Sequence, residues 1–559
     1  MTPTETIDYS YSLTTGNLAS AAVNGGEQIA YSYNGSLPTA STWTGPVAGS
    51  VSRRYDNNFW ITSVSINGGN SVGFQHDNDG LVTKAGALVL KRSASDGLIT
   101  GTTLGPATDS RSYDPFGELS NYAASYNGVP LYAVKFTRDA DGRVTNKSET
   151  IAGTSNTFTY AYDLAGRLVK VARNGTTIGS YSYDTNSNRV GAATASGTVK
   201  GSYDDQDRLL SYGGASYTYT ANGELASRTA GTQSTAYTYD VLGNLTSATL
   251  PNGTKITYLV DPENHRVGRE VNGVLETGFL YDGGNIVAQL NGSNQVVSQF
   301  VYASGATSPD YMISGGVTYR IFSDHLGSPR FVVNTSTGAI AEQIAYDEFG
   351  NVLSDTHPGF QPFGFAGGLY DRDTKLVRFG ARDYNQSIGR WTAKDPTLFG
   401  GGDTNLYGYV VNDPVNLMDP FGLQDEDCAC AMNNLKKVVR DPGFQEAALA
   451  TLSNAGAIVK SVAQIAVAEV ATGLAGVMAG TPEIPALSKA AIEAASTLQS
   501  TLEKQAQLDG DVYSKTGHPK PCQSWWTKNQ FWNWIETLES PDHYDQNLVG
   551  QGNPGYAEP

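Results

Sequence analysis

Cysteine is nearly absent from this chain: 3 residues in 559, Cys428, Cys430 and Cys522, with none in the first 427. That asymmetry divides the sequence into two segments of different character. A Cys-x-Cys pair with one distant Cys lacks the paired spacing of a zinc ribbon or finger, so no metal site is expected, and no cofactor motif is present. A disulfide from Cys522 to the pair requires the tail to reach an oxidising compartment. Charge is also sparse, at 16% of residues against roughly 25% in an average soluble domain. What charge there is sums to −17, which argues against a whole surface built for nucleic acid or anionic membrane. No run of 18 apolar residues occurs, and MTPTETIDYSYSLTTG at the N-terminus has neither the basic nor the apolar region of a Sec signal.

What is abundant is glycine, 63 residues, and tyrosine, 32. The glycines follow no three-residue period, which excludes collagen, and 39% hydrophobic residues exclude global disorder. One phrase recurs: aromatic-x-Tyr-Asp, a short polar stretch with Gly or Asn, then Leu or Val. It stands as RSYDPFGEL from Arg111, YAYDLAGRL from Tyr160, YSYDTNSNRV from Tyr181, GSYDDQDRL from Gly201, YTYTANGEL from Tyr217, YTYDVLGNL from Tyr237 and AYDEFGNVL from Ala345. Leading tyrosines at 162, 183, 203, 219, 239 and 258 are spaced by 21, 20, 16, 20 and 19 residues, a repeat architecture. Tyr-x-Tyr is period-two strand patterning with the rings on one face. The Asp accepts from nearby backbone N–H groups and the Gly supplies positive φ, so each unit of about 20 residues predicts one hairpin. Lone hairpins are marginal in water, so the units must pair edge to edge into a long coiling sheet. The tyrosine ladder is read as structural rather than ligand-binding, because cross-strand aromatic pairs stabilise sheets.

From Asp8 to Leu423 these residues resemble the RHS/YD-repeat family. The family's associated core region is matched by DHLGSPR (Asp324 to Arg330), AYDEFGN (Ala345 to Asn351), FGARDYNQSIGRWTAKDP (Phe379 to Pro396), NLYGYVVNDPVN (Asn405 to Asn416) and DPFGL (Asp419 to Leu423). The resemblance implies a mainly β fold, a hairpin-repeat sheet spiralling into a hollow shell around a C-terminal polypeptide. On this reading residues 1–320 form the YD-repeat shell, 321–423 the associated core and self-cleavage region, and 424–559 a variable cargo, frequently a toxin in this family.

Metal-free peptide hydrolysis without Ser or Cys needs two carboxylates sharing a proton, one acting as base and one as acid. Carboxylates gather at Asp395, Asp413 and Asp419. Taken alone, these Asp-Pro pairs read as turn starts and Arg382 as a sheet residue. The resemblance implies self-cleavage after the Leu of DPxGL, with Asp395, Asp419 and Arg382 of Gly-Ala-Arg-Asp-Tyr as the catalytic set and Leu423–Gln424 as the scissile bond. Asp413 is the alternative to Asp419; Asp383 and Arg390 are lesser candidates. His325 is read as structural, since no second His or Cys lies near it in sequence.

After Leu423 the Tyr-Asp phrases stop and alanine rises. Residues 424–559 carry 9 Lys+Arg against 16 Asp+Glu, a net −7. Helix-forming runs joined by Thr-Pro-Glu-Ile-Pro predict a mostly α-helical domain with a hairpin over 441–508, followed by an aromatic irregular tail at 509–559. Three readings of the cargo stay open: an enzyme using His518, Cys522, Glu536, His543 and Asp545; a pore former through Ala457 to Met478, where Lys460, Gln464 and Glu469 are costly at bilayer depth; and inert cargo. The partners expected are this cargo inside the shell, a protein that closes the shell or delivers it through a secretion system, and a cognate immunity protein; no nucleic acid is expected for the shell. Localisation is expected to be secreted or cell-surface. The competing class is a non-cleaving cell-surface YD-repeat protein for adhesion or carbohydrate binding.

Overall fold

Each Tyr-Asp phrase closes its turn in the same way. In Tyr162–Leu168, Asp163 Oδ1 accepts the N–H groups of Ala165 and Arg167, both at 3.0 Å. The Asp163 N–H in turn donates to the Arg167 carbonyl at 3.0 Å. Gly166 takes φ +82°. Asp184, Asp204, Asp240, Asp324 and Asp347 repeat the pair of Oδ1 contacts at their own turns. One carboxylate thereby satisfies two backbone donors that the turn leaves without a ladder partner.

The tyrosine before the Asp is the second half of the device. In three copies its hydroxyl donates to a backbone carbonyl of the preceding hairpin, Tyr162 to Val144 at 2.8 Å, Tyr183 to Leu168 at 2.7 Å and Tyr203 to Arg189 at 2.9 Å, while the Tyr219 hydroxyl accepts the Leu209 N–H at 3.0 Å. Where the residue four after the Asp is Arg, its guanidinium folds back on the carboxylate, as Arg167 Nε does on Asp163 at 2.8 Å. The same group lies 4.9 Å from the ring centroid of Tyr183 in the following repeat. The repeat at Asp163 is thus bolted to the next through side chain, ring and backbone. This role of the ladder is structural, as its pattern predicts. One member of the series is displaced. In the sixth copy the residue preceding the Asp is Val260, and the strand irregularity that falls at Thr238/Tyr239 in the fifth copy falls here at Leu259/Val260. Tyr258 is therefore the counterpart of Tyr237, and its hydroxyl bonds the Asp371 carboxylate at 2.8 Å instead of a backbone carbonyl.

The computed structural model describes residues 6–423, which lie within one unit spanning Met1–Glu426. Among the described residues there is no α-helix; Ile7 to Asp355 forms a 34-stranded sheet in which each strand pairs antiparallel with its neighbours in sequence. The division expected at residue 320 falls inside the strand Val317–Ser323, so it marks a change of motif and not an edge of the sheet. The strip returns upon itself. Trp43 Nε1 donates to Asp261 at 3.0 Å, Gln299 Nε2 to the Asn70 carbonyl at 2.7 Å, and Arg320 bonds Asp109 at 2.7 Å. Residues 261–320 therefore lie alongside 43–109, and apolar clusters form between the two passes, as where Val47 and Val51 meet Val267 and Leu280.

A second, four-stranded sheet follows: Leu369–Asp371, Leu376–Phe379, Arg382–Asn385 and Arg390–Trp391. Charged and polar bonds pin it to the long sheet. Arg266 holds Asp383 through two bonds of 2.9 Å with both side chains buried, and Tyr384 donates to the Phe349 carbonyl at 2.9 Å. Tyr384 stacks on Tyr409 at 4.1 Å, with Trp391 edge-on to Tyr409 at 5.2 Å. This aromatic block is the floor on which the next residues are placed. The helical hairpin expected at 441–508, the tail at 509–559 and the candidates His518, Cys522, Glu536, His543 and Asp545 lie outside the described residues. No helix among the described residues is long and apolar enough to cross a membrane.

Candidate active site

Arg382 opens the third strand of the small sheet, Asp395 follows the fourth by four residues, and Asp419 starts the Asp-Pro-Phe-Gly-Leu turn. The three side chains converge. Arg382 Nη2 lies 2.7 Å from Asp395 Oδ2 and 3.1 Å from Asp419 Oδ2, so one nitrogen bridges both carboxylates. All three residues are at most 5% exposed. Burial pulls the Arg382 guanidinium below its usual range, against the opposing attraction of Asp395 and Asp419. Its Cζ also sits 4.3 Å from the Trp391 ring centroid, which fixes the fork from one side.

The DPFGL segment is laid onto this cluster by its backbone. Ala381 N–H donates to the Phe421 carbonyl at 2.9 Å, and Arg382 Nε bonds the Gly422 carbonyl. Gly422 has φ +63°, and a Cβ there would stand 2.4 Å from the Phe379 carbonyl oxygen, so no side chain fits. Asp419 Oδ1 accepts the Leu423 N–H at 3.2 Å, the same Asp-to-fourth-residue contact that closes the YD turns. On the other side of Leu423, its carbonyl oxygen accepts from Thr397 Oγ1 at 3.2 Å, and Thr397 Oγ1 also bonds Asp395 Oδ1. Leu423 is thus held between the two carboxylates; Gln424 lies outside the described residues.

A cavity of about 20 Å³ is lined by Arg382, Asp395 and Asp419 together with Leu398, Val410 and Val411. That volume admits about one water molecule. Backbone strain collects on the same walls: Val410 at φ +44°, Val411 at +47° and Leu398 at +54°. These two valines are the β-branched residues with left-handed backbone among the described residues. The conformation costs roughly 1–2 kcal/mol per residue, and such strain concentrates where function over-determines the backbone.

The remaining sequence candidates are placed elsewhere. Asp413 bonds the Asn416 amide with both oxygens at 2.8 Å, and burial pushes it up to about 7. Asp383 is occupied by Arg266 and Arg378. Arg390 bonds Asn188 at 2.9 Å. His325 Nε2 is 2.8 Å from the Val415 carbonyl, its ring 4.6 Å from Phe136, and burial lowers its affinity for a proton. Asp261, Glu263 and His265 bring donor atoms within 4.8 Å of one another, but Asp261 Oδ1 already accepts two turn N–H groups and Oδ2 the Trp43 indole. Sequence reasoning missed Thr397. Its signal was the Asp-Pro-Thr order, an Asx turn in which Thr397 N–H donates to Asp395 Oδ1 at 2.8 Å.

A meander of Tyr-Asp hairpins that returns on itself has the architecture of a YD shell. The Teneurin YD-shell family model matches residues 1–415, and the chain belongs to that family. It is similar to teneurin-4 of Mus musculus, 27% identical over 360 residues covering 60% of this chain and 12% of the relative. It is also similar to the tRNA3(Ser)-specific nuclease WapA of Bacillus spizizenii, 28% identical over 47% of this chain and 12% of that protein. The chain thus spans about one eighth of the length of these curated relatives. Among solved structures, the Photorhabdus luminescens Tc holotoxin pore aligns with a TM-score of 0.40 at 13% identity, over 75% of this chain and 27% of that one.

Proposed function

We propose that this YD shell encloses the polypeptide that follows it and frees that polypeptide by cutting its own chain at Leu423–Gln424. The observation that carries the reading is Leu423 held between two buried aspartates that share one arginine nitrogen. Two carboxylates facing a single cation cannot both be comfortably ionised, so one retains a proton while the other is a base. The cavity beside them has room for the attacking water. Because nucleophile, acid and substrate belong to one chain, the entropy of bringing them together is spent on folding. The released segment acts as a toxin or effector in a neighbouring or host cell, with delivery and immunity partners as its biological context. The similarity to a tRNA-specific nuclease supports an enzymatic cargo.

The test is intact mass and N-terminal sequencing of the purified chain beside Asp395→Asn and Asp419→Asn. A fragment beginning at Gln424 in the wild type and absent from both variants is the expected result. A single intact wild-type chain would overturn self-cleavage and return the adhesion reading. That reading has less to draw on at Tyr162, Tyr183 and Tyr203, whose hydroxyls are spent on backbone carbonyls.

A further inference from the structure

The cavity beside Leu423 has a third carboxylate on its wall. Asp403 lines it together with Asn405 and Gly408. The long sheet anchors this stretch: Asn405 Nδ2 donates to the Asn186 carbonyl at 3.0 Å and to Asn188 Oδ1 at 2.8 Å, and the Tyr407 hydroxyl to the Gly223 carbonyl at 2.7 Å. Asp403 Oδ1 accepts the Asn405 N–H at 2.8 Å. Asp403 Oδ2 lies over Gly408, where a Cβ would stand 2.6 Å from it, as a Cβ on Gly401 would stand 2.6 Å from Asp395 Oδ2. Two glycines on the wall of one cavity thus each leave room for one carboxylate oxygen. The three aspartates differ in what already occupies them. Arg382 and Thr397 take the oxygens of Asp395, and Arg382 and the Leu423 N–H take those of Asp419. Among the described residues no side chain hydrogen-bonds Asp403 Oδ2, and Asp403 forms no ion pair.

A water molecule that attacks a carbonyl carbon presents a lone pair to it, so both of its O–H groups must point at acceptors elsewhere. The Asp395–Asp419 pair supplies an acceptor for the proton that is lost; the second O–H needs another. Resting on the cleavage reading above, we propose that Asp403 is the residue that holds the attacking water, accepting one O–H through Oδ2 and leaving the other to the Asp395–Asp419 pair. In this role Asp403 gives up and gains no proton; its hydrogen bond fixes the direction of the water's lone pair, and such positioning is what a preassembled site contributes. Its surroundings fit an acceptor kept for function. Burial raises its affinity for a proton and Asp207 adds to this, while the N–H groups of Asn405 and Thr404 and the Arg390 guanidinium oppose it. A carboxyl whose proton is held more tightly folded than unfolded costs stability once ionised, so the charge on Asp403 is carried at the expense of the fold.

The experiment follows cleavage of the full chain from zero time in a purified cell-free synthesis, by intact mass, for wild type, Asp403→Asn and Asp403→Gly. Asp403→Asn keeps an oxygen for the Asn405 N–H and puts a donor NH₂ group where Oδ2 stood. Losing one positioned hydrogen-bonding group commonly slows a reaction by about 10²–10³. Asp403 is half-buried, so solvent substitutes in part, and a slowing of about tenfold or more is expected for Asp403→Asn. Asp403→Gly is expected to be as slow in sodium chloride and faster in sodium formate at the same concentration, because formate returns a carboxylate to the emptied space. The uncut Asp419→Asn chain with and without Asp403→Asn is compared by thermal melting, and a Tm no lower is expected with Asp403→Asn, since a costly charge is removed. Asp403→Asn cut as fast as wild type, no gain from formate, or a lower Tm with Asp403→Asn overturns the water-holding role while leaving the dyad standing. An uncut wild type overturns both.

Discussion

Replacing Gly401 with alanine adds one methyl group and removes no functional group, yet it strikes directly at the Asp395 carboxylate. Gly401 is buried in the turn Leu398–Gly401, and its φ is ordinary, so the backbone accepts alanine without conformational penalty. The new Cβ would stand 2.6 Å from Asp395 Oδ2, 3.1 Å from Asp395 Cγ and 3.1 Å from the Leu423 carbonyl oxygen. To restore ordinary contact at 3.4 Å the carboxylate oxygen must retreat by about 0.8 Å. That same oxygen is the one held by Arg382 at 2.7 Å, so the retreat loosens the bridge and moves Asp395 relative to the peptide bond. Overpacking of this kind costs about 1–3 kcal/mol in stability, and a displacement near 1 Å costs about 10²-fold in a reaction that depends on positioning. Gly401→Ala is therefore expected to cut itself at least about 100-fold more slowly than wild type while retaining the strand content of the shell. The assay is intact mass over time after cell-free synthesis, with circular dichroism on the product. Gly400→Ala is the control: its Cβ meets nothing closer than Thr397 Cβ at 3.4 Å, and its cleavage is expected to match wild type. Equal cleavage by Gly401→Ala and wild type would refute the placement of Asp395 as a reacting group.

Two further expectations concern the shell itself. Asp163→Ala leaves the N–H groups of Ala165 and Arg167 and the Arg167 guanidinium without their acceptor. The expected cost is about 0.5–1.5 kcal/mol, read as faster hydrogen exchange at Ala165 and Arg167; unchanged protection there would refute the clamp. Glu342 is 1% exposed, with Oε2 buried and no hydrogen-bond partner found for it, and burial pushes its carboxyl up to about 8. A carboxyl whose proton is held more tightly folded than unfolded contributes stability below its unfolded value and loses it as pH rises through the folded one. Wild type is expected to lose stability between about pH 5 and 8, and Glu342→Gln to lose less over that window. Parallel melting-temperature profiles for the two proteins would refute this.

The hairpin unit was legible because its information is local. Asp, Gly and the tyrosine before them act within one turn and the strand beside it, so a phrase of nine residues specifies its own closure. Register was less legible. Tyr258 keeps the spacing of the series, but the position before Asp is Val260, since turns count residues from the Asp and not from the nearest ring. The place of Arg167 over the next repeat's tyrosine carries no signal in the phrase itself, because it depends on a neighbour some 16 residues away. At the site, the family resemblance, and not the residues taken alone, singled out Arg382, Asp395 and Asp419 as a set, and the fold brings both aspartates within reach of one arginine nitrogen. Asp413 and Asp383 have the same chemistry in sequence, and only their neighbours separate them from the cluster. Asn416 occupies one and Arg266 with Arg378 the other.

By itself, then, the sequence determined the repeat and the antiparallel meander, because turn chemistry and alternation act over a few positions. Tertiary structure alone decided which pass of the sheet lies against which, where the small sheet seats its aromatic block, and that Leu423 rests between Asp395 and Asp419 with Thr397 at its carbonyl. Those outcomes depend on close packing and on burying charges in pairs, and both conditions are met by residues separated by tens to hundreds of positions.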